Sequence, residues 1–516
     1  MVKYFTFILI STLVLFNLHC SNLSQSSHNI LRVALFDNPT NLDPRTSSDV
    51  ASYRVIEQIY DPLIKMDSTG TPCPILATHW DNPSDTVYIF HIRKGVTFHD
   101  GQPLSAYDVE FTLKTILDPD LKAPARRSFE IIDKITVYDS LTLKIKLKHP
   151  FAPFLSNMEI GIVPRHLVEN NPQVLQRRPL GSGPFILKKW EPDVSLELVA
   201  NKNYWQGRPK LDGIHIKILP EVTTRILALE YGEVDFLMNN FPLSYLKRFK
   251  KNPRLKVKIK PGSNYVYIGL NLRNPYLKHK KVRKAIAHAI NIQSIIDHLM
   301  LGIYKPAKSL LNPSHWAYHP GLPDYPYDPE RARNLLDEAG FPDPDGDGPQ
   351  PRFRLNYKCT DKQMSRQKAQ IIKQYLEKVG IQIDIQSYEW GAFFDDIQHG
   401  RFDMYSLTWV GIYEPNHYDR IFHSHSIGSG ANRGGYQNYV VDRLIEEAQC
   451  ELDQSIRRKK YFRIQEIIAD ELPYISLWYE TNIAVMNKDL YGFEFYPAAE
   501  WRSFWKMYFK KNSANR

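Results

Sequence analysis

Strand-like and helix-like hydrophobic patterns alternate along almost the whole chain, and they constrain its fold more than any single motif. Residues 30–36 (ILRVALF) form an apolar run of strand length. Leu141, Leu143, Ile145 and Leu147 alternate with Thr142, Lys144 and Lys146, the period-two pattern of a half-buried strand. Residues 52–59 read as a helix and 87–92 as a strand. Residues 105–117 read as a helix capped by Ser105, with Asp108 in its first turn, where a carboxylate suits the helix dipole. Further helices are expected at 221–231, 279–300, 329–339 (ended by Gly340), 364–378, 440–452 and 455–470. Strands at 266–270, 353–357, 381–387, 402–409 and 474–479 fall between or after them. This order predicts an α/β class with mixed sheets and no internal repeat. A length of 516 residues suggests three or four domain-sized units, and 43% hydrophobic residues supply a large core.

The first twenty residues differ from the rest. Lys3 precedes an apolar run from Tyr4 to Leu18, about the length of a signal-peptide core and short for a spanning helix. Cys20 closes the run and a polar Ser/Asn/Gln stretch follows, a layout that resembles a bacterial lipoprotein signal in which Cys20 becomes the lipidated N-terminus. Such signals carry Leu three positions before the Cys and a small residue just before it. Here Asn17 and His19 stand at those positions, so a plain cleaved signal and an uncleaved anchor stay open. Residues 21–29 then read as a flexible tether. No later run approaches the ~18 apolar residues that a spanning helix needs.

Net charge is +10, from 66 Lys+Arg against 56 Asp+Glu, but it is spread along the chain, without a basic block, zinc-finger spacing or RNA-binding aromatic signature. That argues against nucleic acid and fits a mildly basic surface near anionic lipid. Cys73, Cys359 and Cys450 lack metal-ligand spacing; one disulfide is compatible with export, and an odd count leaves one thiol over.

Specific blocks recur in order. Asn38-Pro-Thr-Asn-Leu-Asp43-Pro44 is followed by Glu57-Gln-Ile-Tyr-Asp61-Pro-Leu63 and by the run from Arg93 through Lys-Gly-Val-Thr-Phe98-His99-Asp100 to Gly101. Gly181-Ser-Gly183-Pro-Phe185, Asn203-Tyr-Trp205, Gly232-Glu-Val-Asp235 and Tyr267-Ile-Gly269-Leu-Asn271 come next, then Val282-Arg283-Lys-Ala285, Tyr327-Asp-Pro329 and Gly400-Arg-Phe402-Asp403 before Trp409. From about Leu31 to Trp505 the chain resembles the family 5 solute-binding proteins of ABC importers, the oligopeptide, dipeptide and nickel class.

The resemblance implies a two-lobed periplasmic-binding-protein-like fold (type II, cluster C) with an extra domain in the first lobe. Carried over, residues 30–62, 178–271 and 485–511 make the first lobe, 63–177 the extra domain and 272–484 the second lobe. It implies a monomeric, non-enzymatic receptor in the cell envelope that needs no cofactor. It would close on an oligopeptide-like solute by hinge motion and deliver it to a membrane permease and its ATPase subunits. The chain itself lacks a phosphate-cradling loop, a nucleophile elbow and a His-Glu-x-x-His motif. A sensory or chaperone-like envelope receptor on the same fold, and a nickel or other small-solute binder, are the alternatives. For peptide binding, main-chain contacts are expected from Tyr267 to Asn271, with Gly269 between, and from Trp409, Val410 and Gly411. Asn38 and Trp390 are expected to complete the walls, with Tyr413 and Glu414 beyond Trp409. Many relatives place an Asp three residues after the tryptophan to pair with a peptide ammonium; this chain has Ile412 there, and Glu414 is the nearest acid. His417, His423 and His425 follow, a set that imidazole chemistry makes a weaker candidate for Ni²⁺.

Overall fold

Two strands much longer than their apolar centres organise the molecule. In the computed structural model, which describes residues 29–67, 70–346, 348–412, 414–428, 430–496 and 498–510, they span Leu255–Leu270 and Tyr474–Asn487 and pair antiparallel along most of their lengths. Cys20, the expected signal, all but the last residue of the tether, and Tyr413 lie outside the described residues. Both long strands belong to one sheet of eleven strands among the described residues. Its order is 381–388, 353–360, 404–409, 255–270, 474–487, 236–238, 30–35, 213–218, 195–200 and 185–191, with 305–306 paired to the second long strand off this path.

The long strands change partners midway. Leu255–Pro261 pairs with Thr481–Asn487, whose Ala484–Met486 also pairs with Phe236–Met238. Beyond a register slip between Pro261 and Tyr265, the segment Tyr265–Leu270 pairs with Met404–Trp409 on one side and with Tyr474–Tyr479 on the other. The first half of one long strand and the second half of the other therefore serve one lobe, and the two remaining halves serve the other.

Hydrophobic packing follows this division. Leu31, Val33, Ile214 and Phe236 join Phe504 and Trp501 in the first lobe's core. Residues from Leu63 to Ile162 form a separate core around a four-stranded antiparallel sheet, ordered 77–84, 87–92, 142–147 and 132–139. In the second lobe the sheet is covered on both faces. Val266 and Ile268 pack on one side and Tyr265 and Tyr267 on the other, as strand alternation requires. The mixed α/β class and the extra domain on the first lobe are as the sequence predicts.

Most of the motif residues hold this scaffold together. Asp61 accepts from the Tyr204 hydroxyl (3.1 Å) and Trp205 Nε1 (2.9 Å). Asp235 takes Arg32 in a two-pronged pair, both distances 2.7 Å. Buried Asp43 does the same for Arg45. Arg93 lies over the Trp205 ring, His99 reaches the Gly183 carbonyl oxygen, and Asp100 pairs with His166. Asp108 accepts from both the Ser105 backbone N–H and its hydroxyl, so this helix start is as expected. The long helix expected over 279–300 is instead two, Lys280–Ala289 and Ile292–Leu299. Ile290 is extended, and the Asn291 side chain accepts from Ser294 N–H to start the second. No helix among the described residues is long and apolar enough to cross a membrane, and Cys73, Cys359 and Cys450 are free thiols.

Candidate functional site

Strand direction locates the site. In the first lobe, Ile30–Leu35 runs parallel to Gly213–Ile218 and Phe236–Met238. In the second, Phe353–Thr360 runs parallel to Ile381–Tyr388 and Met404–Trp409. Each set meets the long strands antiparallel, so Met238 ends opposite Ala484 and Trp409 ends opposite Tyr265. The carboxyl ends of both sets thus point at the middle of the crossover, where α/β sheets bind their ligands. The loops after these ends begin at residues 36 and 239 in one lobe and at 389 and 410 in the other.

The second lobe's wall is aromatic and cationic. Trp409 stacks on Tyr267, ring centroids 6.2 Å apart and nearly parallel. The guanidinium of Arg433 lies 5.2 Å from the Trp409 centroid and 5.2 Å from that of Phe394, and Arg420 lies 5.9 Å from Trp409. Trp390 stacks in turn on Phe394 at 5.2 Å. Val410 and Trp390, 51% and 49% exposed, mark where this cluster opens to solvent. Arg433 reaches the hydroxyl of Tyr267 at 3.5 Å, yet neither it nor Arg420 has a carboxylate partner among the described residues. Burial lowers the Arg420 pKa and the neighbouring Arg433 charge lowers it further. Arg433 is held by its loop: Asn432 donates to the carbonyls of Phe422, His423 and Tyr436, and Arg273 donates to the Arg433 carbonyl.

The loop after Trp409 is tied to the crossover. Gly411 adopts a left-handed conformation (φ 68°), which suits glycine, and its N–H donates to Asn264 Oδ1 at 3.2 Å. Asn264 also donates to Glu480 on the other long strand. Ile412 then turns into the second lobe's core, 1% exposed, beside Tyr418 and Tyr461.

Several expected ligand contacts are placed otherwise. Tyr267 is fully buried and its backbone is paired on both sides, so the main-chain edge expected of Tyr267–Asn271 is already used from Tyr267 to Gly269. Gly269 lies under the Tyr405 ring, where a Cβ would come within 2.4 Å of a ring carbon. Asn271 spends its side chain on the carbonyls of Gly400 and Phe402 and on Arg273. Glu414 does not join the wall. The residue is half-buried, with one carboxylate oxygen buried and without a hydrogen-bond partner among the described residues; burial pushes its carboxyl up to about 7, against the pull of Arg457 and a backbone hydrogen bond at Asn416. Asn38 lies in the first lobe, accepting from Asp193 N–H at 3.3 Å. The expected wall residues brought together are Trp409, Val410, Gly411 and Trp390. His423 and His425 gather with Asp419, while His417 turns its Nδ1 to the Glu414 carbonyl.

Arg420, Arg433 and Phe394 were not singled out from the sequence. Arg433 stands in Gly430-Ala-Asn-Arg-Gly-Gly435, a composition that signals a turn and says nothing of where its side chain goes.

Two lobes joined by two long strands, with strand ends converging on the space between them, define the class: a two-lobed solute-binding protein. Residues 71–430 match the family described as bacterial extracellular solute-binding proteins, family 5 (middle), and the chain belongs to that family. The oligopeptide-binding protein AppA of Bacillus subtilis (strain 168) is 30% identical over 90% of this chain and 89% of its own length. The solved structure of AppA from Bacillus subtilis with a nonapeptide superposes with a TM-score of 0.80 at 29% identity, covering 93% of this chain and 99% of that one. NikZ of Campylobacter jejuni, solved with Ni(L-His), gives a TM-score of 0.82 at 25% identity over 93% of this chain and 99% of its own.

Proposed function

We propose that this chain is the substrate-binding component of an ABC importer, and that its solute is an oligopeptide-like molecule that offers a carboxylate to the second lobe. The observation that carries the second half is the Trp409 wall. Two guanidiniums without carboxylate partners among the described residues flank one indole, and the acid that relatives place nearby is replaced by core-facing Ile412. Such a wall favours a ligand anion, which would gain charge-assisted hydrogen bonds, and disfavours an ammonium. Fold-mates that bind a nonapeptide and a nickel–histidine chelate support a cleft of this kind.

The change of partners at 261–265 and 479–481 supports a lobe division in those segments, near the expected bounds at 271 and 484. The extra domain at 63–177 rides on the first lobe. Closure turns the lobes about these segments, and the closed form docks on a permease served by separate ATPase subunits, with the receptor acting as a monomer and no reaction on the solute. Cys20 carries the lipid anchor and residues 21–29 the tether, so Cys20→Ser is expected to release the protein from membranes. Mass spectrometry of solutes eluted from the denatured protein tests the ligand class. Short peptides are expected; eluted solutes without a carboxylate would overturn it.

A further inference from the structure

A second binding site lies far along the chain from the cleft residues, on the sheet of the extra domain. His79 and His91 stand directly opposite each other on neighbouring antiparallel strands, their rings stacked 4.2 Å apart and nearly parallel. Asp81, two residues along the same strand and so on the same face, lies diagonal to His91, with its carboxylate 2.8 Å from His91 Nε2. One ligating atom from each of the three falls within 4.8 Å of the others. His79 and Asp81 are exposed and His91 partly so, which leaves the face open to solutes.

The neighbouring hydrogen bonds fix which nitrogen of His79 is free. The register slips between Ala77 and His79, so Thr78 is the extra residue of a bulge and its hydroxyl is turned toward the rings. Thr78 Oγ1 donates to the His91 carbonyl at 3.1 Å, since a carbonyl can only accept. Its single proton is then spent, so at 3.0 Å from His79 Nδ1 it accepts from an Nδ1–H. His79 is held as the tautomer whose Nε2 carries the lone pair. A hydroxyl that orients an imidazole through its other nitrogen is the outer-shell arrangement of metal-ligating histidines.

We propose that His79, His91 and Asp81 bind a first-row divalent transition metal through two imidazoles and one carboxylate. The ion replaces the proton between His91 Nε2 and Asp81, and a fourth position stays open to water or to another molecule's donor. Two imidazoles and one oxygen favour Cu²⁺, Ni²⁺ and Zn²⁺ over Mg²⁺ or Ca²⁺.

Calorimetric titration of the untagged, chelator-stripped full chain with Cu²⁺ tests this, together with electron paramagnetic resonance of the loaded protein. One tight site with a two-nitrogen signature is expected. His79→Gln and His91→Gln should each weaken it at least ~10-fold, and Thr78→Val several-fold, an effect typical of outer-shell partners. Thr78 and His79 are exposed and His91 partly so, so the variants should fold, which circular dichroism checks. His425→Gln should leave this site unchanged, because His423, His425 and Asp419 form a separate cluster. Absence of a tight site, or an affinity indifferent to His79→Gln and His91→Gln, overturns the proposal.

Discussion

The two walls of the cleft treat their charges differently. In the first lobe Arg225, Arg54 and Asp49, near the strand ends, spend their hydrogen bonds within the lobe. Arg225 donates to the carbonyls of Leu219, Pro220 and Asn240; Arg54 pairs with Glu57 and reaches the Ala498 carbonyl; Asp49 caps its helix through Ser52 N–H. In the second lobe Arg420 and Arg433 lie on aromatic faces without a carboxylate among the described residues. Matched charges make a wall that is rigid before ligand arrives. Charges left without a counter-ion make a wall whose electrostatics are completed by ligand. On this account the first lobe supplies shape and the second supplies the choice of solute.

The largest expected effect belongs to the first wall. Arg225→Met removes the hydrogen bonds of a buried guanidinium to the carbonyls of half-buried Leu219 and of exposed Pro220 and Asn240, and should cost roughly 2–4 kcal/mol of stability, since hydrogen bonds to a charged group are worth about 1.5–3. Urea denaturation measures it, and ligand affinity of the folded protein should barely change. An unchanged midpoint would show that the first wall is not held as described.

Arg433→Met should do the opposite. A charge-assisted hydrogen bond is worth about 1.5–3 kcal/mol, so affinity for a carboxylate-bearing solute should fall roughly 10- to 100-fold by calorimetry. Stability should hold or rise, because a partly buried charge without a counter-ion is removed. A large loss of stability with unchanged affinity would make the second wall resemble the first.

Glu414→Gln should give the smallest effect, and one visible only in pH. Burial raises this carboxyl from its ordinary 4.5 to about 7, so the folded protein holds the proton more tightly than the unfolded chain does. Stability is therefore full below pH 4.5, falls as pH rises toward 7, and stays reduced above it. The glutamine variant lacks this loss and should gain roughly 1–3 kcal/mol relative to wild type between pH 4 and pH 8. Its affinity for solute should not change, and a marked drop would put Glu414 back in the cleft.

Much of the scaffold was legible. The period-two run at 141–147, the Ser105–Asp108 helix start and the ordered family blocks all report local geometry or packing, which sequence encodes directly. The outer half of the first long strand was missed: Leu255, Val257 and Ile259 alternate with three lysines, a period-two pattern outside the strand expected at 266–270. The site was less legible. Trp409, Val410 and Gly411 follow from the family pattern, and Trp390 proves to stand beside Arg433 through Phe394. What Arg433 and Arg420 face depends on how a glycine-flanked loop folds over a helix start, and no local pattern carries that. The burial of Glu414 is of the same kind. Distance along the chain placed it near the tryptophan, while the turn through Gly411 and Ile412 sends it inward.

The second lobe, as proposed, selects an anion and not an ammonium. The direct test is calorimetry with one peptide eluted from the protein, resynthesised in three forms: free at both ends, N-acetylated, and C-amidated. N-acetylation is expected to leave the affinity nearly unchanged, and C-amidation to weaken it roughly 10- to 100-fold, the range for one charge-assisted hydrogen bond lost. A peptide that tolerates amidation but loses binding on acetylation would contradict the claim.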